Sequence, residues 1–95
     1  MQYEWNETKR EANLRKHGYD FADADLVYDN INKMTVPAIR ANESRSQDIA
    51  LVEVQGKILS LVYVLRGYTV RVISFRMASR KERRIYDNFR AKKSN

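Results

Sequence analysis

Hydrophobic and polar positions along the 95-residue chain change rhythm near residue 49, from helical spacing to strand-like runs. Tyr3-Glu4-Trp5 alternates, which predicts a short strand. Asn6 is a strong N-cap and Glu7 complements the helix dipole, so a helix is predicted to run to about His17. Gly18 can take the left-handed conformation that ends it. Asp20 is placed to cap a second helix over residues 21 to 28, where Phe21, Ala24 and Tyr28 share a face. Asp29-Asn30 closes that helix. Residues 32 to 37 predict a short edge strand ending at Pro37, because proline is unwelcome in a sheet centre. Residues 40 to 48 (RANESRSQD) are polar and read as a loop.

Beyond that point strands dominate. Residues 49 to 54 form one, Gln55-Gly56-Lys57 turns the chain, and residues 58 to 65 form the next. That second strand is almost uniformly apolar, the pattern of a central strand covered on both faces. A turn over Arg66 to Thr69 leads into a third strand over residues 70 to 76, giving an antiparallel meander. Pairing through Gly67-Tyr68 sets opposite one another residues whose numbers sum to 135. Tyr63 and Arg76 are then expected on one face and Arg71 on the other. Ser79 and Glu82 match the S-x-x-E capping box of a final helix. Ile85, Tyr86 and Phe89 fall within a sector of about 100° that can be buried, with Arg80 and Arg84 nearly opposite. Residues 91 to 95 (AKKSN) are expected to fray. The expected fold is α+β: one domain over residues 1 to 95, with a small antiparallel sheet, two N-terminal helices and a C-terminal helix packed on it.

Charge changes this picture. The formal net charge of +6 is divided unevenly. Residues 1 to 62 hold 8 Lys or Arg against 10 Asp or Glu, a net of −2, whereas residues 63 to 95 hold 10 against 2, a net of +8. A positive field concentrated on one third of a small domain favours a polyanion. There is no Cys, so thiolate chemistry is excluded and a reducing cytoplasm is the expected setting. The longest apolar run, Leu61 to Leu65, is too short to span a bilayer, so no membrane partner is expected.

Candidate chemistry is correspondingly narrow. One His and no Cys leave carboxylates as metal ligands, and Asp20, Asp23, Asp25 and Asp29 lack the glycine and final Glu of an EF-hand loop. No metal and no cofactor are called for, and no P-loop, G-x-G-x-x-G or G-x-S-x-G is present. Arginines remain: Arg66, Arg71, Arg76, Arg80 and Arg83 are expected near one sheet-to-helix junction, with Arg84 beside them. Planar guanidinium groups bind phosphate oxygens bidentately, and Tyr63 could stack on an unpaired base. His17 has two uses. It suits a helix C-terminus, which stabilises imidazolium, and its pKa near neutrality also suits a general acid or base.

Two stretches together resemble the BrnT family of type II toxins. The opening pattern, an aromatic and a cap followed by N-x-x-K-H-G and a Phe-led helix, is met by EWNETKREANLRKHGYDFADA. The closing pattern, an apolar strand, R-G, an arginine-led strand and an E-R-x-x-Y helix, is met by LVYVLRGYTVRVISFRMASRKERRIYD. The resemblance implies a RelE-like ribonuclease that cuts RNA without metal and inhibits translation. It also implies a cognate BrnA-like ribbon-helix-helix antitoxin, and operator DNA bound indirectly through the toxin–antitoxin complex. Two departures stand out. Met77 occupies a position that is usually basic in the family, and no glycine lies between Gln47 and Gln55, so no role is carried onto Arg45.

Under that resemblance the ribose 2′-OH attacks the adjacent phosphorus in line. His17 or Lys16 serves as base or acid, and Arg76, Arg80 and Arg83 stabilise the phosphorane. Arg66, Arg71, Arg84 and Tyr63 are the expected RNA-binding residues. The competing reading is a non-catalytic basic nucleic-acid-binding or regulatory module of the same fold.

Overall fold

The computed structural model describes residues 1–40, 43–52 and 56–93. It is α+β, and its elements run β1 (Gln2–Glu4), α1 (Glu7–His17), a 3-10 turn (Phe21–Asp23), α2 (Asp25–Tyr28), β2 (Met34–Arg40), β3 (Glu43–Val52), β4 (Lys57–Arg66), β5 (Thr69–Met77) and α3 (Arg80–Lys93). The five strands form one sheet in the order β1-β5-β4-β3-β2. Strands β2 to β5 are antiparallel neighbours, so the predicted meander is present. β1 is parallel to β5 through Gln2↔Thr69 to Glu4↔Arg71, which makes the sheet mixed rather than purely antiparallel.

The N-terminal signals act as their chemistry predicts. The Asn6 side chain accepts from Lys9 N at 3.0 Å, and Gly18 adopts φ 79° and donates to Leu14 O at 2.8 Å. Asp20 caps the next segment by accepting from Ala22 N at 3.0 Å. That segment is a 3-10 turn followed by a single α-turn, not the continuous second helix expected. The pattern of Phe21, Ala24 and Val27 needs only a wedge against the sheet, and these three side chains are buried. They meet Leu59, Leu61, Tyr63, Val70, Val72 and Phe75 in the main core, where each apolar side chain contributes roughly 1.5–3 kcal/mol by burial.

Two expectations fail in the middle of the chain. β2 passes through Pro37 to Arg40, and β3 begins at Glu43, so residues read as loop are paired from Met34↔Ile49 to Arg40↔Glu43. Ladder hydrogen bonds come from backbone, and this polar hairpin lacks the side-chain alternation that announces a strand. Pro37 is tolerated because β2 is the edge strand that its presence suggested. The proposed ends of the next strand at residues 53 and 54, and Gln55 of its turn, lie outside the described residues.

The β4–β5 register follows the predicted sum from Arg66↔Thr69 to Tyr63↔Val72 and then slips by one, to Val62↔Ser74 and Ser60↔Arg76. Ile73 is the extra residue of this bulge. Arg76 therefore shares a face with Arg71, which pairs with Val64, and not with Tyr63. The face of Tyr63 is the main core. On the opposite face α3 packs Tyr86 and Phe89 near Met34, Val36, Ile58 and Ala78. Ile85, predicted to join them, is 43% exposed. Helix α3 continues through Lys93, so residues 91–93 do not fray; residues 94 and 95 lie outside the described residues. No helix among the described residues is long and apolar enough to cross a membrane.

Candidate active site

The site is built where β1 stops. β1 covers the outer edge of β5 only as far as Arg71, leaving the stretch to Met77 without a strand neighbour on that side. Asn13 of α1 fills part of the gap. Its side chain accepts from Phe75 N at 3.2 Å and donates to Phe75 O at 2.7 Å, as a neighbouring strand would, and it also donates to Tyr19 O at 3.0 Å. This buried amide fixes α1 against the end of β5. His17 lies one turn further along α1, four residues after Asn13.

His17 borders two clefts. One, of about 260 Å³, is lined by Lys9, Ala12, Asn13, Lys16, Ile73 and Ser74 as well. The other, of about 570 Å³, adds Leu14, Tyr19, Asp20, Asp23, Lys57 and Met77. Partial burial lowers the His17 pKa from 6.5, and the positive charges of Lys16 and Arg76 act in the same direction. The imidazole is thereby held toward its neutral, proton-accepting form. A helix C-terminus, which favours imidazolium, acts in the opposite direction. In the larger cleft Asp20 is already committed. Arg10 Nε and Nη2 donate to its two oxygens at 2.7 and 2.9 Å, and this pair, with the Ala22 amide, lowers the Asp20 pKa. Arg10 also pairs with Glu7.

Arg76 is held from the other side. Its Nη1 and Nη2 donate to Glu82 Oε1 and Oε2 at 2.8 and 3.0 Å, and Nη1 also donates to Met77 O at 3.0 Å. The carboxylate raises the Arg76 pKa further, so its charge is permanent. The predicted capping box is present: Ser79 N donates to Glu82 Oε1 at 2.8 Å and Glu82 N donates to Ser79 Oγ at 3.2 Å. Strand end and helix start are thus joined through one carboxylate.

The remaining candidates divide. Arg80, Arg83 and Arg84 are exposed along α3 and line a cleft of about 520 Å³ with Ile58, Asp87 and Asn88. Arg66 and Arg71 lie at the far end of the sheet, by the Gly67 turn. Because of the bulge, Arg71 and Arg76 stand opposite Val64 and Ser60, four residues apart on β4, about 13 Å at ~3.3 Å per residue. The expected convergence of five arginines on one junction is therefore wrong: Arg76, Arg80 and Arg83 gather there, and Arg66 and Arg71 do not. Tyr63 is likewise corrected. It is 3% exposed, with its ring edge-on to Tyr28 at 5.2 Å, and has no face left for a base.

Sequence reasoning passed over Lys57, read only as a turn residue. The β4–β5 register places Leu59 opposite Met77, and Ala78 N donates to Ile58 O at 2.9 Å, so Lys57 arrives beside the helix start. It shares the larger cleft with His17 and Met77. A correct register would have found it. Among the described residues, no three His, Cys, Asp or Glu gather in a way that could hold a metal ion.

No curated protein matches the chain. The model of a family described as "Ribonuclease toxin, BrnT, of type II toxin-antitoxin system" matches residues 5–82, from Trp5 to the Glu82 that grips Arg76. A match over that much of the chain is decisive: it belongs to the BrnT family of ribonuclease toxins of type II toxin–antitoxin systems.

Proposed function

We propose that the whole chain forms one RelE-like toxin domain that cleaves RNA without a metal ion. The observation that carries this reading is the junction at Arg76. A permanently charged guanidinium, fixed by Glu82, lies close enough to His17 to act on its proton affinity. A histidine biased toward its neutral form is suited to take the proton of a ribose 2′-OH, with Lys16 as the alternative proton carrier. The alkoxide attacks the adjacent phosphorus in line, and charge builds on the non-bridging oxygens. Arg76 and Arg80 then stabilise that charge, helped by the unbonded N–H groups at the start of α3 and by Arg83. The P–O5′ bond breaks as the departing oxygen takes a proton from the Lys16 ammonium or the newly formed His17 imidazolium, giving a 2′,3′-cyclic phosphate and a 5′-OH. Arg84, Arg66 and Arg71 lie further along the basic surface and are assigned to holding the backbone of the RNA.

Cleavage of cellular RNA by such a site would inhibit translation in the cytoplasm. A cognate BrnA-like ribbon-helix-helix antitoxin would neutralise it and bring the complex to operator DNA. The test is purified protein, free of antitoxin, incubated with RNA in EDTA. Fragments ending in cyclic phosphate are expected. Intact RNA, or full activity in an Arg76→Ala, Arg80→Ala double variant, counts against the reading. Salt-sensitive binding without fragments would identify the non-catalytic module instead.

A further inference from the structure

In the sequence Glu82 has one evident use, as the distal member of the capping box. Its carboxylate has a second use in the fold. Oε1 accepts from both Ser79 N and Arg76 Nη1 at 2.8 Å, while Oε2 accepts from Arg76 Nη2 at 3.0 Å. The Met77 carbonyl takes a further Nη1 hydrogen at 3.0 Å. A guanidinium carries five N–H groups in a rigid plane. These contacts use both on Nη1 and one on Nη2. The Nε–H and the second Nη2–H are left, side by side on one edge, and among the described residues nothing is bonded to them. That edge matches two oxygens of one phosphate.

We propose that Glu82 is a positioning residue for RNA cleavage, fixing the Arg76 guanidinium so that its Nε–Nη2 edge is presented to the scissile phosphate. The inference rests on the ribonuclease reading of the Arg76 junction given above. An arginine on a free stem would lose rotamer freedom each time it met the transition state. One already clamped does not, and its donors need no reorganisation as charge develops. Glu82 performs this at the first turn of α3, so the helix start and the arginine are set by the same group.

Two substitutions separate the roles. Glu82→Gln keeps the amide oxygen that a capping box accepts and loses the charge that clamps Arg76. Ser79→Ala removes the box hydroxyl and leaves the clamp. Rates of RNA cleavage and melting curves are measured for both, for Arg76→Ala, and for Glu82→Gln combined with Arg76→Ala. The expected result is a kcat at least about tenfold lower in E82Q, the size of one misplaced charge-stabilising group. Its KM should be unchanged or lower, since a negative charge beside the RNA has gone, and its melting should stay near that of the parent. In the Arg76→Ala background E82Q should have no further effect. S79A should melt earlier and keep its kcat at temperatures where it is folded. An E82Q rate within twofold of the parent overturns the proposal. So does an equal loss in the Arg76→Ala background, or an equal loss in S79A, which would trace the effect to the helix start. If the parent protein leaves RNA intact, the ribonuclease reading falls first and this proposal with it.

Discussion

The two halves of β5 carry one arginine each, on the same face, and hold them differently. At the Thr69–Arg71 end β1 supplies a strand neighbour, and Arg71 meets Glu4 at 3.6 Å with both side chains partly in solvent. At the Phe75–Met77 end a single asparagine stands in for the strand, and Arg76 is gripped by a bidentate carboxylate. The ordinary half is the one completed by backbone. The half left open is the one that brings His17, Arg76 and α3 together, because side chains had to close it. An exposed ion pair such as Arg71–Glu4 contributes at most about 1 kcal/mol, whereas a fixed guanidinium at a reacting phosphate is worth several.

Four experiments bear on that contrast. The largest effect is expected at Arg76: its replacement by Ala should slow RNA cleavage at least about a hundredfold in single-turnover assays, the scale for loss of one charge-stabilising group. Next is Asn13→Ala, which leaves the buried N–H and C=O of Phe75 unpaired and should destabilise the fold by about 3 kcal/mol in urea titrations. At the other end, Arg71→Ala should weaken RNA binding only severalfold, measured by anisotropy at two salt concentrations. It should also reduce the salt slope by about one contact.

The smallest effect concerns protonation. His17 has its folded pKa below 6.5, so between that value and 6.5 the unfolded chain binds the extra proton. Its contribution to stability is therefore complete above pH 6.5 and fades as pH falls toward the folded value. NMR titration of the imidazole should show the lowered midpoint. Arg76→Ala should raise it, while Arg71→Ala should not, since the positive charges that act on the imidazole are those of Lys16 and Arg76. A histidine that responded equally to both arginines would break the contrast between the two halves.

Much of this was legible in advance wherever a residue type has one local use. Asn6, Gly18, Asp20, Ser79 and Glu82 are capping signals decided within a turn of chain, and each acts as expected. The outer parts of the hairpin were foreseen at residues 34 to 37 and 49 to 52, but its polar part, Arg40 and residues 43 to 48, was not legible, since backbone pairing between polar residues leaves no hydrophobic rhythm. Nor was the parallel pairing of β1, which joins segments almost seventy residues apart through three backbone positions. The expected places of His17, Arg76 and Arg80 beside a helix end or start are the observed ones. Arg76 was expected on the face of Tyr63 because the bulge at Ile73 reverses sides only after the sum of 135 has held for four pairs.

That bulge also sets what variation the strand can absorb. Arg71 and Arg76 share a side although an odd number of steps separates them, which a regular strand forbids. The arrangement depends on the number of residues between them more than on their identity. Exchange of Ile73 for another apolar residue preserves the bulge, and loss of one residue between 71 and 76 removes it, leaving four steps, an even number that still sets both arginines on one side. A strand shortened by one codon would lose its bulge and keep its cationic side; one shortened by two would be left with three steps and place the two arginines on opposite sides.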